Sequence, residues 1–89
     1  MKNLSRMILY RYAVGMQVSV ETKDGGIYTG LLLMVDKHLN LDLGDVILKG
    51  GENHHRVFLK GTAINAIRMS EKVMQQYKVN KEKVTKEIE

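Results

Sequence analysis

From Gln17 to Thr22 the chain alternates, with Val18 and Val20 on one side and Gln17, Ser19 and Glu21 on the other. A period of two marks a half-buried β-strand. Lys23-Asp24-Gly25-Gly26 follows, and its Asp-Gly pair suits a tight hairpin because glycine takes positive φ at little cost. The run from Ile27 to Val35 is apolar on both faces. Ile27, Leu31, Leu33 and Val35 share one parity; Tyr28, Leu32 and Met34 share the other. A strand apolar on both sides needs cover beyond one small core. Gly30 in its middle marks a sharp bend or a close backbone approach. After an Asp36-Lys37-His38 turn, residues 39–47 alternate again, with Leu39, Leu41 and Leu43 inward and Asn40, Asp42 and Gly44 outward. A polar loop with two glycines, Lys49 to His55, then leads to two short strands at 56–60 and 64–69, joined through Gly61-Thr62-Ala63.

Ahead of these strands, residues 3–11 carry a cap-capable Asn3 and apolar positions at 4, 7 and 8. That pattern predicts a short amphipathic helix across one end of the body, closed by Val14-Gly15. Ser70-Glu71 can open a last helix with Val73, Met74 and Tyr77 on one face, and the charged sequence beyond Asn80 predicts a frayed tail. The expected organisation is one domain over 1–70 and a charged, partly helical tail over 71–89. The fold class is mainly β: a helix, then strands at about 17–22, 27–35, 39–47, 56–60 and 64–69 in a strongly bent antiparallel sheet that forms a small open barrel.

Composition narrows the chemistry. A domain in a chain of 89 residues hides only about 60–65% of its unfolded surface, so its own core is marginal. The absence of cysteine excludes disulfides, thiolate metal sites and cysteine catalysis. Assembly with other copies is then the expected way to gain stability. No stretch reaches the roughly 20 apolar residues of a membrane span, and Met1 to Tyr12 lacks the layout of a signal peptide. The expectation is a cytoplasmic protein with no membrane partner. The formal net charge is +4. Residues 1–70 hold nine Lys/Arg against six Asp/Glu, and 71–89 hold five against four. The excess in the body permits a polyanionic partner without selecting one.

The densest polar cluster runs from Asp36 to Asp42. Asp36, His38, Asn40 and Asp42 share one parity while leucines fill the other, which sets His38 and Asn40 side by side. His54 and His55 are neighbours on an extended segment and point to opposite faces, so they do not chelate one ion together. Neither a metal nor a cofactor is expected. A hydrolytic metal site built from Asp36, His38 and Asp42 with one of those histidines lacks a further well-spaced ligand. Lys2, Arg6 and Arg11 read as a solvated helix face.

Val20 to Gly30, with Asp24-Gly25 and the mid-strand Gly30, followed by Leu33 to Leu43 with Asp36, His38 and Asn40, resembles the first Sm motif. Phe58 to Ile67, with Lys60-Gly61, resembles the second. The likeness runs from about Leu4 to Arg68 and is closest in character to the homo-oligomeric archaeal Sm-like (LSm) branch. It implies the SH3-like barrel of the Sm fold, assembled into a closed ring. Seven identical subunits are usual and six an alternative, joined by pairing of the fourth strand with the neighbour's fifth. It also implies a non-catalytic ribonucleoprotein core that binds single-stranded, uridine-rich RNA (oligo-U) at the inner rim, in RNA processing, chaperoning or turnover. No small-molecule substrate is implied.

By the same resemblance His38 stacks on a base and Asn40 reads its edge. Lys60 and Gly61 fall on the family's Arg-Gly pair, whose basic side chain covers the base's other face. Asp36 fixes the hairpin, Asp42 holds Asn40 or the loop, and Gly30 is the bend glycine. Lys60 departs from the usual arginine, and lysine is a compact charge rather than a planar stacking group. That lowers the expected base affinity and raises its salt sensitivity. The bacterial six-membered RNA chaperone ring carries a lysine-histidine pair in its second motif, which Leu59-Lys60-Gly61-Thr62 does not match. The competing reading is a protein-interaction scaffold ring with weak, non-specific RNA binding.

Overall fold

The computed structural model describes residues 2–76. Helix α1 (Lys2–Arg11) leads into β1 (Gln17–Thr22), β2 (Ile27–Val35), β3 (Leu41–Leu48) and β4 (Asn53–Leu59). A 3-10 turn, Gly61–Ala63, connects to β5 (Ile64–Arg68), and residues 71–76 are helical. All five strands join one antiparallel sheet in the order β4-β3-β2-β1-β5. The edges of that sheet are thus β4 and β5, although only residues 60–63 separate them in the chain. In a flat sheet with strands about 4.8 Å apart, the outer two would lie roughly 19 Å from each other. A link that spends three residues in a 3-10 turn, at about 2 Å rise each, cannot cover that span. The sheet therefore curls until its edges approach, which is the open barrel the strand pattern predicts.

Two bulges in the β2–β3 pair contribute to the curl, and a third register shift lies between β1 and β5 at Asn65. Leu32 pairs with Leu43 and Met34 with Asp42, leaving Leu33 as an extra residue on β2. Between Leu31↔Gly44 and Thr29↔Ile47 the extra residue falls on β3, where Asp45 takes a left-handed φ of 49°. Bulges bend a strand and increase its twist. Gly30 lies at the second of them: a Cβ there would sit 2.8 Å from the Gly44 carbonyl oxygen and 3.2 Å from Val46 Cα. Only a residue without a side chain lets the backbones come this close.

The bulges also correct the simple alternation read from β2. Parity inverts at Leu33, so Leu32 and Val35 share the interior while Leu31 and Met34 face outward. On β3 the same inversion puts Leu41, Leu43 and Val46 inside together. Several boundaries move as well. β3 starts at Leu41 rather than at 39, because Leu39 has φ 64° and belongs to the turn. β4 starts at Asn53 rather than at 56. The Gly51 and Leu48 N–H groups, bonding Leu48 and Glu52 carbonyls at 2.8 Å each, close the hairpin within 49–52. His54 and His55 thus stand on the strand, and Lys60 lies just past it. β5 ends at Arg68, one residue before the expected limit.

The core collects Val18 and Val20 from β1, Leu32 and Val35 from β2, Leu41, Leu43 and Val46 from β3, and Leu59 from β4. Ala13 and Val73 close it from outside the sheet. The Ser70 hydroxyl accepts the Val73 N–H at 3.4 Å at the start of the last helical turn, so the packed body continues past Ser70. Tyr77 and the expected tail beyond it lie outside the described residues. Helix α1 begins at Lys2, which places Asn3 in its first turn rather than at the cap. The segment after it is tied down where Gly15 N–H donates to Leu32 O (2.7 Å) and Leu32 N–H to Met16 O (2.9 Å). Tyr10, Tyr12 and Met16 pack on the core, whereas Ile8 is exposed. Among the described residues no helix is long and apolar enough to cross a membrane.

Gly30→Ala tests the curl. The added methyl meets backbone that cannot swing aside, so stability should fall by about 1–3 kcal/mol. Urea unfolding would register this as a lower midpoint, and an unchanged midpoint would show that the close approach does not constrain the fold.

Candidate nucleic-acid interface

The turn between β2 and β3 is built around one carboxylate. Asp36 Oδ1 accepts the backbone N–H groups of His38 (2.9 Å) and Asn40 (3.0 Å), and Oδ2 accepts the Asn40 side-chain amide at 2.9 Å. Leu39 N–H closes onto the Asp36 carbonyl at 3.0 Å. Aspartate suits this position because its short side chain reaches its own backbone two residues on. The Asp36 bonds hold the turn in a form where Leu39 accepts a left-handed φ that non-glycine residues normally avoid.

Asn40 then reaches across to a second element. Its Oδ1 accepts the Gly61 N–H at 2.8 Å, fixing the 3-10 turn after β4 against the β2–β3 turn. Gly61 sits flush on that turn: a Cβ would run into the His38 carbonyl oxygen and lie 3.0 Å from the Leu39 carbonyl. Both ends of the Asn40 amide are committed, one hydrogen to Asp36 and one lone pair to Gly61. An amide carries two of each, so one donor and one acceptor stay available on a side chain that cannot rotate. His38, within the turn, and Lys60, next to Gly61 in the chain, are both exposed. The structure therefore brings Asp36, His38, Asn40, Lys60 and Gly61 together. It does so through a turn and a long-range bond rather than through strand parity, since residues 36–40 precede β3.

Asp42 departs from its expected place. Its carboxylate takes a fork from Arg56 on β4, through Nε at 3.1 Å and through Nη2. It holds neither Asn40 nor the turn. The reason is register: Asp42 pairs with Phe58, which leaves Arg56 on the diagonal, within reach of a long side chain. Arg56 is the member of this cluster that sequence reasoning missed, and only the strand register could have supplied it. Gly30 lies at the bend of β2, away from the lock.

Other polar groups stay separate. His54 Nε2 lies 3.2 Å from Glu52, and His55 Nδ1 lies 3.8 Å from Asp45. Among the described residues no three His, Cys, Asp or Glu side chains gather into a metal-binding group. A cleft of about 360 Å³ lies along Asp45, Ile47, Asn53, His54 and His55, at the β3–β4 hairpin. It is open and shares no residue with the Asn40 lock.

A short helix, a curled five-stranded sheet and a rigid amide at a hairpin tip define a class of small β-barrel domain. The LSM domain family model matches residues 9–69. This chain belongs to the LSM, or Sm-like, family. Among solved structures it is similar to a Sm-like archaeal protein from Pyrobaculum aerophilum, with 31% identity over 72% of this chain and a TM-score of 0.70. It spans 50% of that relative's length. It is also similar to the Sm protein of Pyrococcus abyssii, solved in complex with a uridine heptamer (27% identity, 71% of this chain, 93% of that one, TM-score 0.62). A third relative is the SmAP1 heptamer of P. aerophilum (27% identity, 71% and 88% covered, TM-score 0.61). Among curated proteins no sequence matches.

The Asn40 side-chain amide, followed by the backbone N–H groups of Asn40 and His38, holds the Asp36 carboxyl below its ordinary 3.8. A depressed folded value means that the stabilisation is fully present above the unfolded value. It is lost as pH falls through the folded one. NMR should therefore show Asp36 titrating below 3.8, with the Asn40 side-chain amide signals moving in the same step. An Asp36 that titrates at its ordinary value, with Asn40 unaffected, would contradict the lock.

Proposed function

We propose that this chain is a non-catalytic RNA-binding subunit of a closed homo-oligomeric ring, a heptamer in the simplest case. The ring holds single-stranded, uridine-rich RNA at the inner rim of its pore, as a cytoplasmic ribonucleoprotein core in RNA processing, chaperoning or turnover. The observation that carries this reading is the Asn40 amide, bonded to Asp36 at one end and to the Gly61 N–H at the other. Its remaining donor and acceptor match the neighbouring N3–H and carbonyl groups of uracil. Unstacked bases of single-stranded RNA offer those edges, together with a flat face for His38 to stack on. Lys60 covers the opposite face as a compact cation, a weaker stacking partner than arginine.

The ring is supported by what the single chain leaves uncovered. β4 and β5 are both sheet edges, and an open edge is a template for another strand. Met34 and Phe58, 58% and 61% exposed, flank Asp42 on neighbouring strands and add apolar surface on the outside of the barrel. Kinship with a heptameric relative and with one bound to a uridine heptamer points the same way. Repetition matters because one stacked base contributes only about 1–3 kcal/mol. A ring converts several such contacts into avidity when one strand spans adjacent pockets.

The test is a titration of oligouridine, oligoadenosine and oligocytidine on wild type and Asn40→Ala, after light scattering has given the mass of the assembly. Uridine should bind tightest, and Asn40→Ala should erase that preference while leaving the ring intact. Equal, salt-labile binding of all three would favour the scaffold reading. A monomer in solution would remove the ring.

A further inference from the structure

The Asn40 pocket contains a negative charge at neutral pH. Three N–H donors favour the ionised form of Asp36, and those bonds orient Asn40. Nearby Asp42 is matched by Arg56, but Asp36 forms no ion pair with any described residue. If Lys60 were the only free cation here, the pocket would be formally neutral towards a strand that brings one negative charge per nucleotide. One further cation stands at the site. Lys37 lies between Asp36 and His38 at the crest of the turn, is exposed, and makes no ion pair with a described residue. Lys49, by contrast, lies in the β3–β4 turn at the far end of β3.

We propose that Lys37 is a phosphate-contacting residue. It makes the pocket net cationic and takes the RNA backbone while Asn40 and His38 take the base. The inference rests on the RNA-binding reading given above. It adds a division of labour within the pocket: Lys37 supplies affinity without sequence preference, because a phosphate is the same beside every base. The ammonium group suits this task, being a mobile point charge with three donors and no need for a fixed plane. It also offsets the weaker stacking of Lys60. Repeated around a ring, it sets a circle of cations beside the base pockets.

Binding of labelled oligouridine and oligoadenosine, followed by fluorescence anisotropy between about 50 and 200 mM salt, tests the assignment. The proteins are assembled wild type, Lys37→Gln, Lys37→Arg and Asn40→Ala. For Lys37→Gln, log affinity against log salt should become shallower by roughly 0.7 for each phosphate that is no longer neutralised. Affinity should drop severalfold at low salt, with the uridine-to-adenosine ratio unchanged. Lys37→Arg should restore the slope. If Lys37→Gln leaves slope and affinity at wild-type values, or removes the uridine preference instead, the assignment is wrong. If wild type binds neither oligonucleotide, the RNA-binding reading falls as well. The assignment falls alone when wild type prefers uridine, Asn40→Ala abolishes the preference and Lys37→Gln has no effect on the slope.

Discussion

Residues 60–63 must carry the chain from one edge of the sheet to the other, and most of the remaining geometry follows from that. A link so short forces the sheet to curl. The curl uses bulges at Leu33 and beside Asp45, and it draws Gly30 against the Gly44 carbonyl. Bringing the edges together also lays the 3-10 turn over the β2–β3 turn, where Gly61 lands on the His38–Leu39 peptide. There its N–H meets Asn40 at 2.8 Å. The candidate site is thus not an addition to the barrel. It is the contact at which the barrel nearly closes.

Charge and surface are organised around the same closure. Two carboxylates sit close together in sequence and do different work. Asp42 faces Arg56 in a forked ion pair that ties β3 to β4, whereas Asp36 is satisfied by N–H donors alone. One joins strands and the other shapes a turn. The core they surround is small, and both sheet edges and the Met34 and Phe58 side chains stay outside it. For a domain of this size, surface left over after folding is the natural material for assembly.

How much of this the sequence disclosed depended on whether local pattern or strand register decided the matter. β1 and β2 were legible to the residue because alternation, an Asp-Gly turn and a long apolar run are local signals. The inversion of parity within β2 and β3 was not, because a bulge changes which residues face inward without changing composition. Grouping His38 with Asn40 by parity rested on a strand geometry that the structure does not have there. They lie on a turn held by Asp36, with Leu39 in a left-handed conformation that no period-two pattern contains. The Asp42–Arg56 pair was out of reach for a related reason. Nothing in two segments fourteen residues apart states that they lie on a diagonal. Val73 stood between these cases: its helical spacing was visible, but its place in the core required the sheet to curl first.

If it binds RNA as proposed, a pocket made in this way would separate reading from holding. Asn40 is fixed at both ends by bonds that formed when the chain folded, so no rotamer freedom is lost when a base arrives. Discrimination between bases can rest on that rigid edge, because a wrong partner leaves a donor or acceptor unmatched. Lys37 and Lys60 are exposed; as phosphate or face contacts they would be blind to base identity, and ions in solution would weaken what they contribute. In the proposed pocket, an ammonium at position 60 would contribute more by charge and less by stacking than a planar guanidinium. On the proposed reading, uridine preference and salt-sensitive affinity need not rise and fall together. The first would depend on the bond between Asn40 and Gly61, and the second on how many cations a ring would set beside one strand.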